Sequence, residues 1–344
     1  MSILRFLFLS ITTALLVIVV SCSQPNTSSN PTQSPATNTS TATSTASNPS
    51  QNQGNKDQIN INTAILSELD KFEAALGIPA LSNKIQANRP YASPEELVSK
   101  NVITQEQFDK IKDQVTIQDV ELTGVAKDVD YMAKLGLMKG HLLVAKELLD
   151  QQQPKQAEPH IGHPVEEIYV DVEEQLNERN VKEFKTTLIS LQDLVKSQPK
   201  AAKVNTDFKT SVDAVDGAIA TLPQTQRTSP EFVLQVINEL LDASNSEYGA
   251  AISNNKIAAA IEYQDSRGFV NYANQLFQGI SSQMAKAYPE ENKAIETSMV
   301  ELTKAWPAAI PPASPVKTPA QVSALVKTIE QNSQKVVNRS NTPA

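Results

Sequence analysis

Cysteine is nearly absent, with one in 344 residues. That excludes a disulfide framework within the chain and any zinc or iron–sulfur site built on several thiolates. Glycine is scarce too, at ten residues, or about 3% against roughly 7% in average proteins. Aromatic residues make up 5% of the chain, with one tryptophan. A chain this poor in both is not patterned as a β-sandwich, a β-barrel or a glycine-rich nucleotide binder. No P-loop, dinucleotide fingerprint, Gly-x-Ser-x-Gly elbow or His-Glu-x-x-His pair occurs, and no serine is marked as a nucleophile, so nothing points to an enzyme. Positive charge is in deficit, 30 Lys and Arg against 38 Asp and Glu. That balance argues against a protein that packages nucleic acid, which needs a basic surface to replace counterions on phosphate.

What is present begins with an address. Arg5 precedes an almost unbroken apolar run from Phe6 to Val20, which ends in Val19-Val20-Ser21-Cys22. The run suits a signal-peptide core and is short for a spanning helix of about 20 residues. Its end resembles a bacterial lipobox. The resemblance implies a signal peptide over 1–21 and lipid attachment at Cys22, which uses the only thiol as an anchor. Several acyl chains on one residue give stable membrane attachment. The expected location is extracytoplasmic, on the periplasmic or the thylakoid-lumen side of a bacterial membrane. Residues 23–55 carry no charge and are almost all Ser, Thr, Asn, Gln, Pro and Ala. They cannot bury enough apolar surface to offset the entropy of ordering, so 22–56 reads as a disordered tether.

From 57 to 120 the pattern becomes that of short helices. Asn62 reads as an N-cap, and Ser93-Pro94-Glu95-Glu96 and Thr104-Gln105-Glu106-Gln107 read as capping boxes. The segments "NINTAILSELDKF", "LGIPALSNKI" and "PYASPEEL" resemble the helix-hairpin-helix domain of ComEA-type DNA-uptake proteins and of PsbU-type photosystem II subunits. The first likeness implies phosphate contacts through a glycine turn, here at Gly77, with Lys84, Arg89 and Lys100 as nearby cations. The second implies docking on a protein partner. Pro79 stands where a second glycine would donate an amide, and the segment carries ten acidic residues against six basic ones. Both features favour protein docking over DNA.

From 121 to 335 helical periodicity dominates, with a disordered tail expected over 336–344. The fold class is therefore all-α: a small helix-hairpin-helix domain followed by an antiparallel helix bundle. Expected helices cover 124–151, 164–179, 181–197, 204–221, 230–253, 256–287 with a break near Gly268, 290–305 and 319–333. All three histidines of the chain, His141, His160 and His163, fall within this stretch and close together. Met138 shares a helix face with His141, and Glu166 and Glu167 follow His163. Imidazole suits zinc, copper, iron and nickel, and a thioether adds a preference for copper. The set reads as a site for copper, iron, zinc or haem, with helix capping and core packing as the alternative. His163-Pro-Val-Glu166 is also similar to the His-x-x-Glu motif of imelysin-like periplasmic iron-related proteins. A second polar cluster, Glu262, Asp265 and Arg267, interrupts an apolar helix and reads as either a carboxylate site or a solvated face.

Overall fold

The computed structural model describes residues 58–118 and 122–340. The expected signal peptide over 1–21, Cys22 and the expected tether 22–56 lie outside the described residues, as do residues 341–344. The described chain is all-α with four two-residue strands. No helix among the described residues is long and apolar enough to cross a membrane.

The first unit is closed at its ends by a parallel pair, β1 (Ile59–Asn60) with β2 (Val115–Thr116). Between them run α1 (Leu66–Leu76), α2 (Leu81–Ala87), α3 (Glu96–Ser99) and α4 (Gln105–Ile111). Gly77 ends α1 in the left-handed conformation, φ 66°, where glycine is favoured because it has no Cβ. Thr104 caps α4 with its side chain, and Gln107 returns the bond to the Thr104 amide at 2.8 Å. Asn62 differs from expectation. It caps no helix; its side chain pairs with both backbone groups of Tyr91, at 2.9 and 2.7 Å. Ile61, Leu69, Phe72, Leu81, Ile85, Leu97 and Phe108 form this unit's own core.

The larger unit opens with α5 (Gly124–Asp150), then the short α6 (Pro154–Ala157) and α7 (Pro159–His163). A π-turn, Pro164–Ile168, joins α7 to α8 (Tyr169–Glu178). Proline has no N–H to donate to the α ladder, and the chain passes it with one wider turn, the Tyr169 amide reaching back to the Pro164 carbonyl. There follow α9 (Lys185–Ser197), α10 (Lys203–Ile219), α11 (Gln224–Arg227) and α12 (Pro230–Ala251). Next come the hairpin β3 (Ile252–Ser253) and β4 (Lys256–Ile257), then α13 (Ala260–Ala287), α14 (Pro289–Thr303) and α15 (Pro319–Ser340).

Three differences from the sequence pattern have physical causes. Residues 154–163, which fall between the expected helices 124–151 and 164–179, are helical because each proline sits at a first helical position, where its missing N–H has no role. No break occurs at Gly268; α13 runs straight through. The tail expected from 336 stays helical to Ser340, because Val336 continues the buried stripe of Val322, Val326 and Ile329.

Helix α1 lies on α12, and this is where the first unit meets the bundle. A Cβ on Gly249 would sit 2.9 Å from the Ala74 methyl, so the two backbones approach closely there. Ile65 enters the bundle core and Lys71 pairs with Asp242. Asp70 and Glu247 are buried in the same seam, near enough for each carboxyl to act on the other. Burial pushes Asp70 up to about 7, with the charges of Glu73 and Glu262 adding to it. Burial raises Glu247 well above the ordinary carboxylate value, helped by Asp70, Asp265 and Glu262.

Because the folded Asp70 holds a proton that the unfolded chain has already lost, its contribution is fully present at acid pH. It is lost as pH rises through about 7. Denaturant unfolding is expected to show lower stability at about pH 8 than at about pH 5.5, by an amount on the order of 2 kcal/mol. Asp70→Asn, which removes the titrating group and leaves an amide facing Glu247, should flatten that difference. An unchanged pH slope in the variant would mean the pair does not control it.

Candidate metal centre

The centre is set by a helix crossing. A Cβ on Gly268 of α13 would lie 2.2 Å from the Gly140 carbonyl oxygen of α5, and a Cβ on Gly140 would lie 2.6 Å from Phe269. Only glycine at both positions lets the two backbones touch. His141 follows Gly140, and Asp265 precedes Gly268 by three residues, so the contact brings His141 Nδ1 to 2.6 Å from Asp265 Oδ1. His160 and His163 lie three apart on α7 and share a face. His160 Nδ1 is 2.6 Å from Asp265 Oδ1, and His163 Nδ1 is 3.4 Å from Asp265 Oδ2. One carboxylate thus faces all three imidazoles.

Asp265 and His160 are fully buried, His141 is buried, and His163 is half-buried with its side chain 28% exposed. Burial by itself would raise Asp265; the His141 and His160 rings outweigh it and hold the carboxyl well below the usual range. Burial lowers His141, and the nearby Asp265 only partly offsets this. Burial also pulls at His163, but the Asp265 hydrogen bond and charge, with Glu167 and Glu166, push it up to about 9. The short His141–Asp265 approach does not have the direction of a hydrogen bond, so His141 Nδ1 is a buried nitrogen with no hydrogen-bond partner. His141, His163 and Asp265 each offer a ligand atom, and these atoms all lie within 4.8 Å of one another.

The other residues singled out in the sequence fall in different places. His160 contacts the set through Asp265 and is hydrogen-bonded at both nitrogens. Met138 is buried in the apolar core of the bundle. Glu166 is exposed, whereas Glu167 is half-buried beside His163, its carboxylate also taking the backbone N–H of Leu66. The second polar cluster divides. Asp265 belongs to the histidines, while Arg267 makes a bidentate pair with Glu147 at 2.8 and 3.0 Å and caps the Trp306 carbonyl. Burial raises the Glu262 carboxyl, which also feels the charges of Asp265, Glu73 and His163. Asp265 stood in the second polar cluster with no sequence signal tying it to the histidines, and Gln264 lay in the same polar run without being a candidate itself. The only hint was one pattern on both helices, a glycine next to or one turn from an ionisable residue.

In the first unit, the cations expected to meet phosphate are committed to backbone carbonyls. Lys84 Nζ donates to Asn101 and Val102, both at 2.7 Å. Arg89 donates to Ile61 and Ala64 at 2.7 and 2.5 Å, and Lys100 to Asn88 and Pro90 at 3.2 and 2.5 Å. The Gly77 turn is likewise occupied from within. Glu73 takes the Ala80 amide at 2.8 Å and the Ser82 amide and hydroxyl at 3.3 and 3.0 Å. A carboxylate of the chain stands where an anion would sit. The turn also lines a cleft of about 610 Å³ against α12 and α15.

Two family models match parts of the chain. The Iron permease-associated 4-helix bundle domain matches residues 223–340, which hold α11 to α15. The Helix-hairpin-helix motif matches residues 54–116. Neither a curated protein nor a solved structure matches the chain. Asp265 lies inside the matched bundle, and the three histidines lie on α5 and α7, outside both matches. The centre is therefore shared between the four-helix bundle and the helices that precede it.

Gly268→Ala is expected to lower stability by about 2–3 kcal/mol, because no side-chain rotation relieves a Cβ against a backbone carbonyl. Gly217→Ala, with open space around its Cβ, should instead gain about 0.5 kcal/mol. Urea unfolding of the two variants measures both, and equal effects would show that the crossing tolerates separation.

Proposed function

We propose that the chain is a lipid-anchored, extracytoplasmic protein whose helix bundle binds a divalent transition metal, iron, on His141, His163 and Asp265. One observation carries this reading. His141 Nδ1 is a buried nitrogen without a hydrogen-bond partner, aimed at a buried carboxylate that two further imidazoles surround. Leaving such a nitrogen unpaired costs stability, and a metal ion would satisfy it. Two histidines and one carboxylate with open positions is a donor set suited to ferrous iron. The partial exposure of His163 gives an ion a way in. The likeness of residues 223–340 to an iron permease-associated domain favours iron over copper, zinc or haem. Cys22 is the proposed lipid attachment point, holding the folded part at the membrane surface.

The full-length chain, purified in detergent without a histidine tag, is expected to bind close to one equivalent of Fe(II). His141→Ala with His163→Ala, and separately Asp265→Asn, should lose it while helicity persists. Metal at about 100 times its Kd should stabilise the wild type by about 2.7 kcal/mol. Failure to bind, or binding unaffected by the substitutions, would sink the proposal.

For the helix-hairpin-helix unit we propose protein docking and not DNA capture, on the ground that Glu73, Lys84, Arg89 and Lys100 are spent on internal hydrogen bonds. Titration with duplex DNA at low ionic strength should give no saturable binding. A linear fall of log K with log salt, the mark of counterion release, would reverse that assignment.

A further inference from the structure

The three histidines around Asp265 are alike in type and opposite in bonding. His141 has a buried nitrogen with no partner, whereas both nitrogens of His160 are used. The His160 Nδ1 meets Asp265 Oδ1 at 2.6 Å and its Nε2 meets Gln264 Oε1 at 2.9 Å. The Gln264 amide is oriented by its other end, where Nε2 donates to Gln156 Oε1 at 2.9 Å and to the Ala309 carbonyl at 3.2 Å. Turning the amide over would set its oxygen against two acceptors, so the oxygen stays toward His160. A carboxylate and an amide oxygen only accept. Both ring nitrogens of His160 are therefore already engaged, each by a partner oxygen, and a nitrogen so engaged is not free to ligate a metal.

Resting on the metal reading above, we infer that His160 is a positioning residue and not a ligand. It fixes the direction of the Asp265 carboxylate. Oδ1 is held between His141 and His160, and Oδ2 is turned to His163. The tether runs on through Gln264 to the Ala309 carbonyl, so the segment after α14 helps to hold the carboxylate in place. Ligating the metal through His160 instead would break one of these bonds: through Nδ1 the tie to Asp265, through Nε2 the tie to Gln264, whose oxygen would then be buried without a donor. Outer groups that orient a ligand are typically worth 10–100-fold in metal affinity.

The test uses the full-length chain in detergent, loaded with Cu(II) as the probe. Pulsed EPR on the wild type should count two coordinated imidazoles, and a count of three would overturn the inference without any variant. His160→Leu should keep one metal per chain and weaken affinity about 10–100-fold. His160→Asn, whose amide can replace Nδ1 toward Asp265, should recover most of that loss. Gln264→Leu, which cuts only the outer bond, should weaken affinity less and serves if the His160→Leu variant fails to fold. Wild-type affinity in both the His160→Leu and Gln264→Leu variants would overturn the inference. So would complete loss of stoichiometric metal in a folded His160→Leu variant. A wild type that binds no metal at all would overturn the metal reading itself, which is a different result from either of these.

Discussion

The contact between Gly140 and Gly268 is the constraint on which the candidate centre depends. Two helix backbones meet there with no room for a single extra carbon. Everything ionisable at the site is placed relative to that point: His141 one residue along α5, and Asp265 one turn back along α13. Phe269 packs edge-on against the His141 ring at 5.0 Å between centroids and closes the inner side. The precision comes from helices and not from loops, which is how a buried carboxylate can face three imidazoles without water between them.

The same crossing explains the division of labour among polar residues on α13. Gln264, Asp265, Ser266 and Arg267 are consecutive, and on a helix they point four ways. Asp265 goes to the histidines, Gln264 to His160 and Ala309, Ser266 to the Trp306 indole at 2.6 Å, and Arg267 to Glu147. Each buried polar group has a partner from a different element, so this stretch binds α5, α7 and the segment following α14 together. Tyr263 adds a bond to the Ala308 carbonyl at 3.2 Å. A run that is unusually polar for a buried helix is thereby an organising strip of the bundle and only in part a site.

The helix-hairpin-helix unit is joined to this frame by a seam of opposite character. It buries carboxyl groups, Asp70, Glu73 and Glu247, next to small residues that let α1 approach α12. Glu73 satisfies the turn amides within its own unit, while burial raises Asp70 and Glu247 on either side of the boundary. At the α1 N-terminus, Glu167 links the Leu66 amide to the neighbourhood of His163. The first unit therefore sits against the flank of the proposed metal centre, and one of its ten acidic residues, Asp70, meets the bundle's Glu247 at the seam.

Much of the fold was legible in the residues alone. Apolar spacing at three and four residues, and Thr104 with Gln107, each act within one or two turns, so they need no knowledge of what packs on them. The closeness of the three histidines in sequence was also visible, and α7 keeps His160 and His163 on one face because helix geometry requires it. What only the tertiary structure decided is which groups from distant segments meet. Asp265 stands more than a hundred residues from the histidines. It reaches them because Gly140 and Gly268, one read as an ordinary helix residue and the other as a break, let two backbones touch. Likewise the cations of the first unit looked free for phosphate until folding brought them to carbonyls many residues away. Local patterns are set by covalent geometry and periodicity. Pairing of charges and donors is set by the packing of helices against one another, which no single segment of the chain contains.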